Sequence, residues 1–303
     1  MDILVQRLGA FGDVLLVTPV IRRLRRENPG ASIDVLTLHP NALQGNPDVT
    51  NIGGRLGIKY DKWIDLNFVS ELHPELHAVD AYFLETFGDL GDDADKQPVF
   101  IPGSGSLPPP LNTFNWYDWT TTICVHPNVS WPGRTLSAEF WGDVVKHVKS
   151  LGVDYKVVSL GTPMDHDLSS YGAIDTRGRL DTAMQQAVIS NSACFIGFTS
   201  GLLALAYSTD TPIVSMDTMS KSTYSAQYRR GVLGWNSACF ETELACRGCL
   251  DRARQESLPA PITFLECPLG TNACVETFDA EGLVQAAMKL ISHDLRRVEE
   301  AVA

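Results

Sequence analysis

Apolar residues along this chain fall into short runs divided by polar, glycine-bearing turns, and the period of the pattern changes from run to run. Residues 2–7 (DILVQR) read as a short buried strand, closed by the turn Gly9-Ala10-Phe11-Gly12. Leu15, Leu16, Ile21 and Leu24 then recur along one stripe, which predicts an amphipathic helix over residues 13–27 that Pro29-Gly30 stops. Residues 32–38 (SIDVLTL) give a second strand, and strand–helix–strand with a crossover of this length predicts a parallel βαβ unit. A further strand is expected at 61–67 and a helix at 76–87. Gly and Pro crowd residues 98–110, where three consecutive prolines suit neither a helix nor a central strand. Beyond this linker the alternation resumes. Strands are expected at 121–126, 155–160, 193–197 and 212–216, and helices at 137–150, 180–190, 201–208 and 279–292. The pattern predicts an α/β protein of two Rossmann-like domains with parallel sheets, residues 1–118 and 119–303, facing each other across a ligand cleft. An irregular polar insert is expected at 239–276.

Composition narrows the function classes. A chain of 303 residues with 44% hydrophobic and 20% charged residues has the balance of a globular protein, and no apolar stretch is long enough to span a bilayer. The start, MDILVQRLGAFGD, reads as a first strand rather than a signal peptide. A net charge of −12 disfavours a nucleic-acid partner, whose binding needs a basic surface. Arg22, Arg23, Arg25 and Arg26 read as the solvated face of the first helix, with contact to an anionic surface as the alternative. Cys124, Cys194 and Cys239 lie in or near apolar runs and read as buried free thiols, which points to a reducing, cytoplasmic location.

Four other cysteines, Cys246, Cys249, Cys267 and Cys274, are spaced C-x2-C-x17-C-x6-C. A Cys-x-x-Cys pair presents two thiolates on one turn, and a second pair across a loop completes a tetrahedral soft-metal site. Disulfides or a redox pair are the rival reading. The irregular surroundings favour one structural metal ion, and the donor set alone favours zinc.

Three further motifs follow expected strands. Gly9, Phe11 and Gly12 surround a tight turn before Asp13, whose carboxylate reads either as a helix cap or as a general base. Ser130-Trp131-Pro132-Gly133-Arg134-Thr135 supplies a hydroxyl, a guanidinium fork and a glycine turn, a set able to hold a diphosphate or to form an ordinary surface turn. Gly197-Phe198-Thr199-Ser200-Gly201 joins a strand to a helix with small hydroxylic residues, and Gly161-Thr162 adds a loop of the same kind. The G-x-S-x-G nucleophile pattern is absent, so covalent serine catalysis is a poor reading.

Together these segments resemble glycosyltransferase family 9, the heptosyltransferases of lipopolysaccharide assembly. RLGAFGDVLLVTPVIRRLRRENPGASI, HPNVSWPGRTLSAEFWGDVVKHV and RGRLDTAMQQAVISNSACFIGFTSGLLALAYSTDTPIVSM carry the resemblance, which covers most of the chain. It implies the GT-B fold and an inverting transfer of a sugar, with heptose as one candidate, from a nucleotide diphosphate donor, an ADP-sugar being favoured. Asp13 would be the base, Gly9, Phe11 and Gly12 would lie on the acceptor side, and Ser130, Arg134, Gly161, Thr162, Thr199, Ser200 and Gly201 would hold the donor. No divalent ion is implied for catalysis. Thr199 and Ala204 depart from the aspartate and histidine of the lipopolysaccharide enzymes. The SGL step and the order Cys246-Arg247-Gly248-Cys249, Cys267-Pro268, Cys274 look like the bacterial autotransporter heptosyltransferase branch, which implies iron and a protein acceptor. The acceptor stays open between glycan and protein hydroxyls, as do a homo-oligomer and peripheral membrane association. The rival functions are a catalytically degenerate GT-B protein that binds a nucleotide sugar, and a Rossmann-type oxidoreductase.

Overall fold

The computed structural model describes residues 1–302 apart from 74, 103–105, 221–225, 250–266 and 268, with only the backbone of 132 and 295–302. The chain packs into two compact units, Met1–Gly103 with Gln227–Trp235, and Ser104–Ala226 with Asn236–Ala303.

In the first unit β1 (Asp2–Gln6), β2 (Ser32–Leu36), β3 (Asn51–Ile52) and β4 (Lys62–Asp65) form a parallel four-stranded sheet in the order β3-β2-β1-β4. Ile3, Val5, Ile33 and Val35 are wholly buried, as the central strands of a parallel sheet require. The single helix expected over 13–27 is two helices, α1 (Phe11–Leu15) and α2 (Thr18–Glu27). Pro19 explains the break: it has no N–H to give the Leu15 carbonyl, and the Thr18 hydroxyl donates to that oxygen instead at 2.7 Å. The four arginines of α2 are not a free basic patch. Arg23 and Arg26 pair with Asp89 and Asp95 at 2.5 and 2.6 Å, while Arg22 and Arg25 donate to backbone carbonyls. Helices α3 (Val69–Leu72) and α4 (Ala78–Phe87) follow β4.

The hairpin β10 (Tyr228–Arg229) and β11 (Val232–Leu233) belongs to this first unit although it lies late in the sequence. Its anchor is polar. The Tyr228 hydroxyl donates to Asp80 on α4 at 2.9 Å, and the Lys96 ammonium lies 2.6 Å from that carboxylate and 4.7 Å from the Tyr228 ring. Burial and the Asp80 carboxylate push the Tyr228 phenol up to about 12.

The second unit holds β5 (Thr122–His126), β6 (Lys156–Ser159), β7 (Ile174–Asp175), β8 (Cys194–Phe198), β9 (Ile213–Asp217) and β12 (Ser237–Glu241). They form one parallel sheet in the order β12-β9-β8-β5-β6-β7. Helices α5 (Trp116–Thr120), α6 (Ala138–Ser150), α7 (Thr182–Asn191), α8 (Gly201–Tyr207) and α9 (Ala280–Val302) complete it. Ser137 and Asp181 cap α6 and α7, accepting from Phe140 N at 3.1 Å and Met184 N at 2.8 Å. Trp141, Val144, Val145 and Val148 of α6 and Leu283, Val284 and Ala287 of α9 bury against the sheet. The stretch expected to be irregular from 239 begins instead as the edge strand β12, in register with β9 from Ser237↔Ile213 to Glu241↔Asp217. None of the seven cysteines is in a disulfide; Cys124 and Cys194 are buried and Cys239 is half-buried. Among the described residues no helix is long and apolar enough to cross a membrane.

Candidate functional site

In the first unit, Asp13 occupies the third position of α1, where its carboxylate reaches back to cap the helix start. Its Oδ2 accepts from the Ala10 N–H at 3.0 Å and lies 3.2 Å from the Arg7 guanidinium. Arg7 is almost wholly buried and also meets Glu71 at 3.4 Å and the Leu66 carbonyl at 3.2 Å. Gly9 is needed by contact: a Cβ there would come within 2.6 Å of Asp13 Oδ2 and 3.1 Å of the Arg7 guanidinium. The Phe11 ring stands edge-on to His39 at 6.4 Å, and the Gly12 carbonyl accepts from Leu16 N at 3.0 Å. Asp13 is thus a capping carboxylate, held by the Ala10 N–H and Arg7 and still one-third exposed.

In the second unit, the loops that leave β5, β6, β8 and β9 are knitted together at the C-terminal edge of the sheet. Ser130 follows β5, and its N–H donates to Asn128 Oδ1 at 3.1 Å. Arg134 reaches the Thr199 carbonyl beyond β8 at 3.3 Å, with its guanidinium 4.7 Å from the Trp131 ring centre. A Cβ on Gly133 would meet Met219 Sδ at 2.8 Å, and the Thr218 hydroxyl beyond β9 donates to the Gly133 carbonyl. The Thr199 hydroxyl donates to Asp217 at 3.3 Å. Ser200 caps α8 through its Oγ, 3.2 Å from Leu203 N, and Gly201 is the first helical residue. Beyond β6, Thr162 gives its N–H and hydroxyl to Asp165 at 2.7 and 3.1 Å.

The sequence analysis missed four residues that organise this edge: His126, Asp165, Asp217 and Thr218. His126 was read only as the last residue of a strand. Its ring bridges Ser200 Oγ at 3.1 Å and Asp165 Oδ2 at 3.6 Å. Burial works against the charge of Asp165, yet His126 and the N–H groups of Thr162 and Val129 hold its carboxyl at about 2. Asp217, wholly buried, puts a carboxylate against Thr199, the position where the resembled enzymes carry their own aspartate.

Cys246, Cys249, Cys267 and Cys274 belong to the second unit as well. Burial and then the thiols of Cys246, Cys249 and Cys267 push the Cys274 thiol up, so Cys274 lies within electrostatic reach of the other three. Against the effect of burial, backbone N–H groups of Asn272, Leu269 and Thr271 hold Cys267 below its ordinary value, as a thiolate ligand requires. Among the described residues no three His, Cys, Asp or Glu side chains close to ligand distance. The four thiols are soft donors of the kind a thiophilic cation takes. Thr218 links this region to the loop that carries Gly133 and Arg134: its carbonyl accepts from Gly248 N at 3.2 Å, and its hydroxyl donates to the Gly133 carbonyl.

No protein-family model and no curated protein matches the chain. Solved structures do. A family 9 glycosyltransferase from Veillonella parvula DSM 2008 is similar at TM-score 0.69 and 18% identity, over 96% of this chain and 97% of that one. The iron-containing dodecameric glycosyltransferase TibC from enterotoxigenic E. coli H10407 is similar at TM-score 0.71 and 16% identity, over 97% of this chain and 77% of that one. The E. coli ADP-heptose lipopolysaccharide heptosyltransferase II gives 0.64 and 15%, over 97% and 99%. The fold is therefore α/β of the GT-B type, that of family 9 glycosyltransferases.

Proposed function

We propose that the chain is an inverting glycosyltransferase that moves a sugar from a nucleotide diphosphate donor, an ADP-sugar being favoured, to a glycan or protein hydroxyl. The observation that carries the reading is the Arg134–Thr199 link, which ties together the two loops whose sequences matched the donor segments. In this reading Ser130, Arg134, Thr199, Ser200, Gly201, Gly161 and Thr162 form the donor side. The Arg134 guanidinium and the hydroxyls meet the negative charge that grows on the departing diphosphate. Asp13, oriented by Arg7 and Ala10, takes the acceptor proton as the hydroxyl oxygen attacks the anomeric carbon. The new C–O bond forms opposite the leaving phosphate oxygen, so the anomeric configuration inverts.

A metal held by Cys246, Cys249, Cys267 and Cys274 would be structural. Iron is supported by the likeness to TibC, described as iron-containing, and zinc by the donor set alone. TibC is also dodecameric, and similar structures include a TibC complex with ADP-D-beta-D-heptose, which supports assembly and a heptose donor as proposals for this chain. A cytoplasmic location accords with seven cysteines outside any disulfide.

The test is a thermal-shift and calorimetry panel of nucleotides and nucleotide sugars, followed by transfer assays with the tightest binder. Stabilisation by ADP and ADP-sugars above other nucleotides is expected. A panel without any shift would overturn the reading.

A further inference from the structure

His126, Asp165 and Ser200 come from three separate loops or strand ends. The His126 and Asp165 side chains are 8% and 5% exposed, yet each keeps a polar partner aimed at the same edge. Asp165 Oδ1 accepts from Val129 N, and Oδ2, the oxygen 3.6 Å from the His126 ring, also accepts from the Thr162 N–H and hydroxyl, so the carboxylate is held in place against the imidazole. Gly161 makes the approach possible: a Cβ there would collide with Asp165 Oδ2 and sit 3.1 Å from the His126 ring.

The proton inventory decides what Ser200 can offer. The neutral imidazole has one N–H. The carboxylate 3.6 Å from Nε2 favours the tautomer with the proton on Nε2, because a lone pair there would face negative charge. Nδ1 is then an acceptor, and the Ser200 O–H is spent on it at 3.1 Å. In the imidazolium both nitrogens donate. Nδ1–H then points at Ser200 Oγ, Oγ accepts from Nδ1 and from Leu203 N, and the hydroxyl proton is released to turn towards an outside anion.

We infer that Asp165, His126 and Ser200 form a proton-coupled clamp in which binding of a nucleotide diphosphate draws one solvent proton onto His126, freeing the Ser200 hydroxyl to donate to a phosphate oxygen. The inference rests on the donor-site reading of Ser200 given above. One proton passes from solvent to Nδ1, the serine proton stays on its own oxygen, and no bond between heavy atoms forms or breaks. Other charges around the ring are accounted for. Arg134 is directed at the Thr199 carbonyl, and Asp217 accepts from the Thr199 hydroxyl. Arg177 donates to the Asp165 carbonyl and pairs with Asp175 at 2.7 Å. Asp165 is thus the carboxylate directly facing the imidazole among the described residues.

The experiment is ADP titration by calorimetry at fixed pH in buffers of differing ionisation enthalpy. The wild type should take up a sizeable fraction of a proton on binding. Ser200→Ala should bind ADP roughly tenfold more weakly and lose most of that uptake, while Ser200→Thr, which keeps the hydroxyl, should retain both. His126→Gln should abolish uptake, and Asp165→Asn should reduce it. Comparing variants with one ligand cancels any protons exchanged by ADP itself. Uptake that is absent in the wild type, or unchanged in Ser200→Ala, overturns the clamp while leaving ADP binding intact. Absence of ADP binding by the folded wild type removes the donor-site reading and the clamp together.

Discussion

The Nη1 of Arg134 lies 3.3 Å from the carbonyl oxygen of Thr199, joining two loops 65 residues apart in sequence. The guanidinium is also stacked near Trp131, so its fork is pre-positioned before any ligand arrives. Arg134→Ala should weaken nucleotide diphosphate binding by about 1–3 kcal/mol and nucleoside binding much less. Calorimetry with ADP and adenosine checks this. Equal losses for the two ligands would place Arg134 away from the phosphates.

Asp13 supplies the proposed base. Asp13→Ala should lower transfer by ~10²-fold or more with donor affinity nearly kept. Since Asp13 also caps α1, a small loss of stability, about 1 kcal/mol, should accompany it. Turnover equal to wild type in a folded variant would end the assignment.

Acid stability carries a signed expectation. Asp165 is depressed from an ordinary 3.8 to about 2, so its contribution is present above the unfolded value and is lost as pH falls through the folded one. With the side chain nearly buried, the contribution is about 2 kcal/mol at neutral pH. The stability gap between wild type and Asp165→Asn, read by urea unfolding, should be constant above about pH 5 and shrink below about pH 4. A gap that stays constant down to acid unfolding would show the carboxylate is not specially stabilised.

Gly161 has a φ of +128° and leaves no room for a Cβ beside Asp165. Gly161→Ala should destabilise by about 1–3 kcal/mol and weaken ADP binding as well, because the same collision displaces Asp165 from His126. Denaturant midpoints and calorimetry on one preparation check both effects. An unchanged midpoint would mean the loop relaxes freely.

Purified protein should hold about one metal ion per chain, and Cys246→Ser or Cys274→Ser should lose it. Chelation should lower the thermal midpoint before it changes chemistry. Freshly prepared, reduced protein with no metal by elemental analysis would defeat this, and the same measurement distinguishes iron from zinc.

Short-range physics made much of the fold legible in the sequence. Buried runs such as Thr122–His126 and Cys194–Phe198 and the capped helices after Ser137 and Asp181 follow from burial, period and capping within a few residues. The break between α1 and α2 was missed because the apolar stripe continues across Pro19, and the stripe was weighed above the missing N–H. The edge strand β12 was hidden by its half-buried, mixed composition, which reads as loop until β9 is known to lie beside it.

The candidate site divides in the same way. Asp13, Arg134, Ser200 and the four cysteines could be singled out because each sits in a local motif whose spacing carries chemistry. His126, Asp165 and Asp217 could not, since no spacing connects His126 to a serine 74 residues later. Only the strand order β9-β8-β5-β6 brings their loops to one edge, and that order is set by long-range pairing between strands. The sequence alone determined the alternation of elements and the chemically marked loops. The tertiary structure decided which loops meet, which charges are paired within the fold, as for the α2 arginines, and which distant side chains, such as His126 and Ser200, come within hydrogen-bond reach.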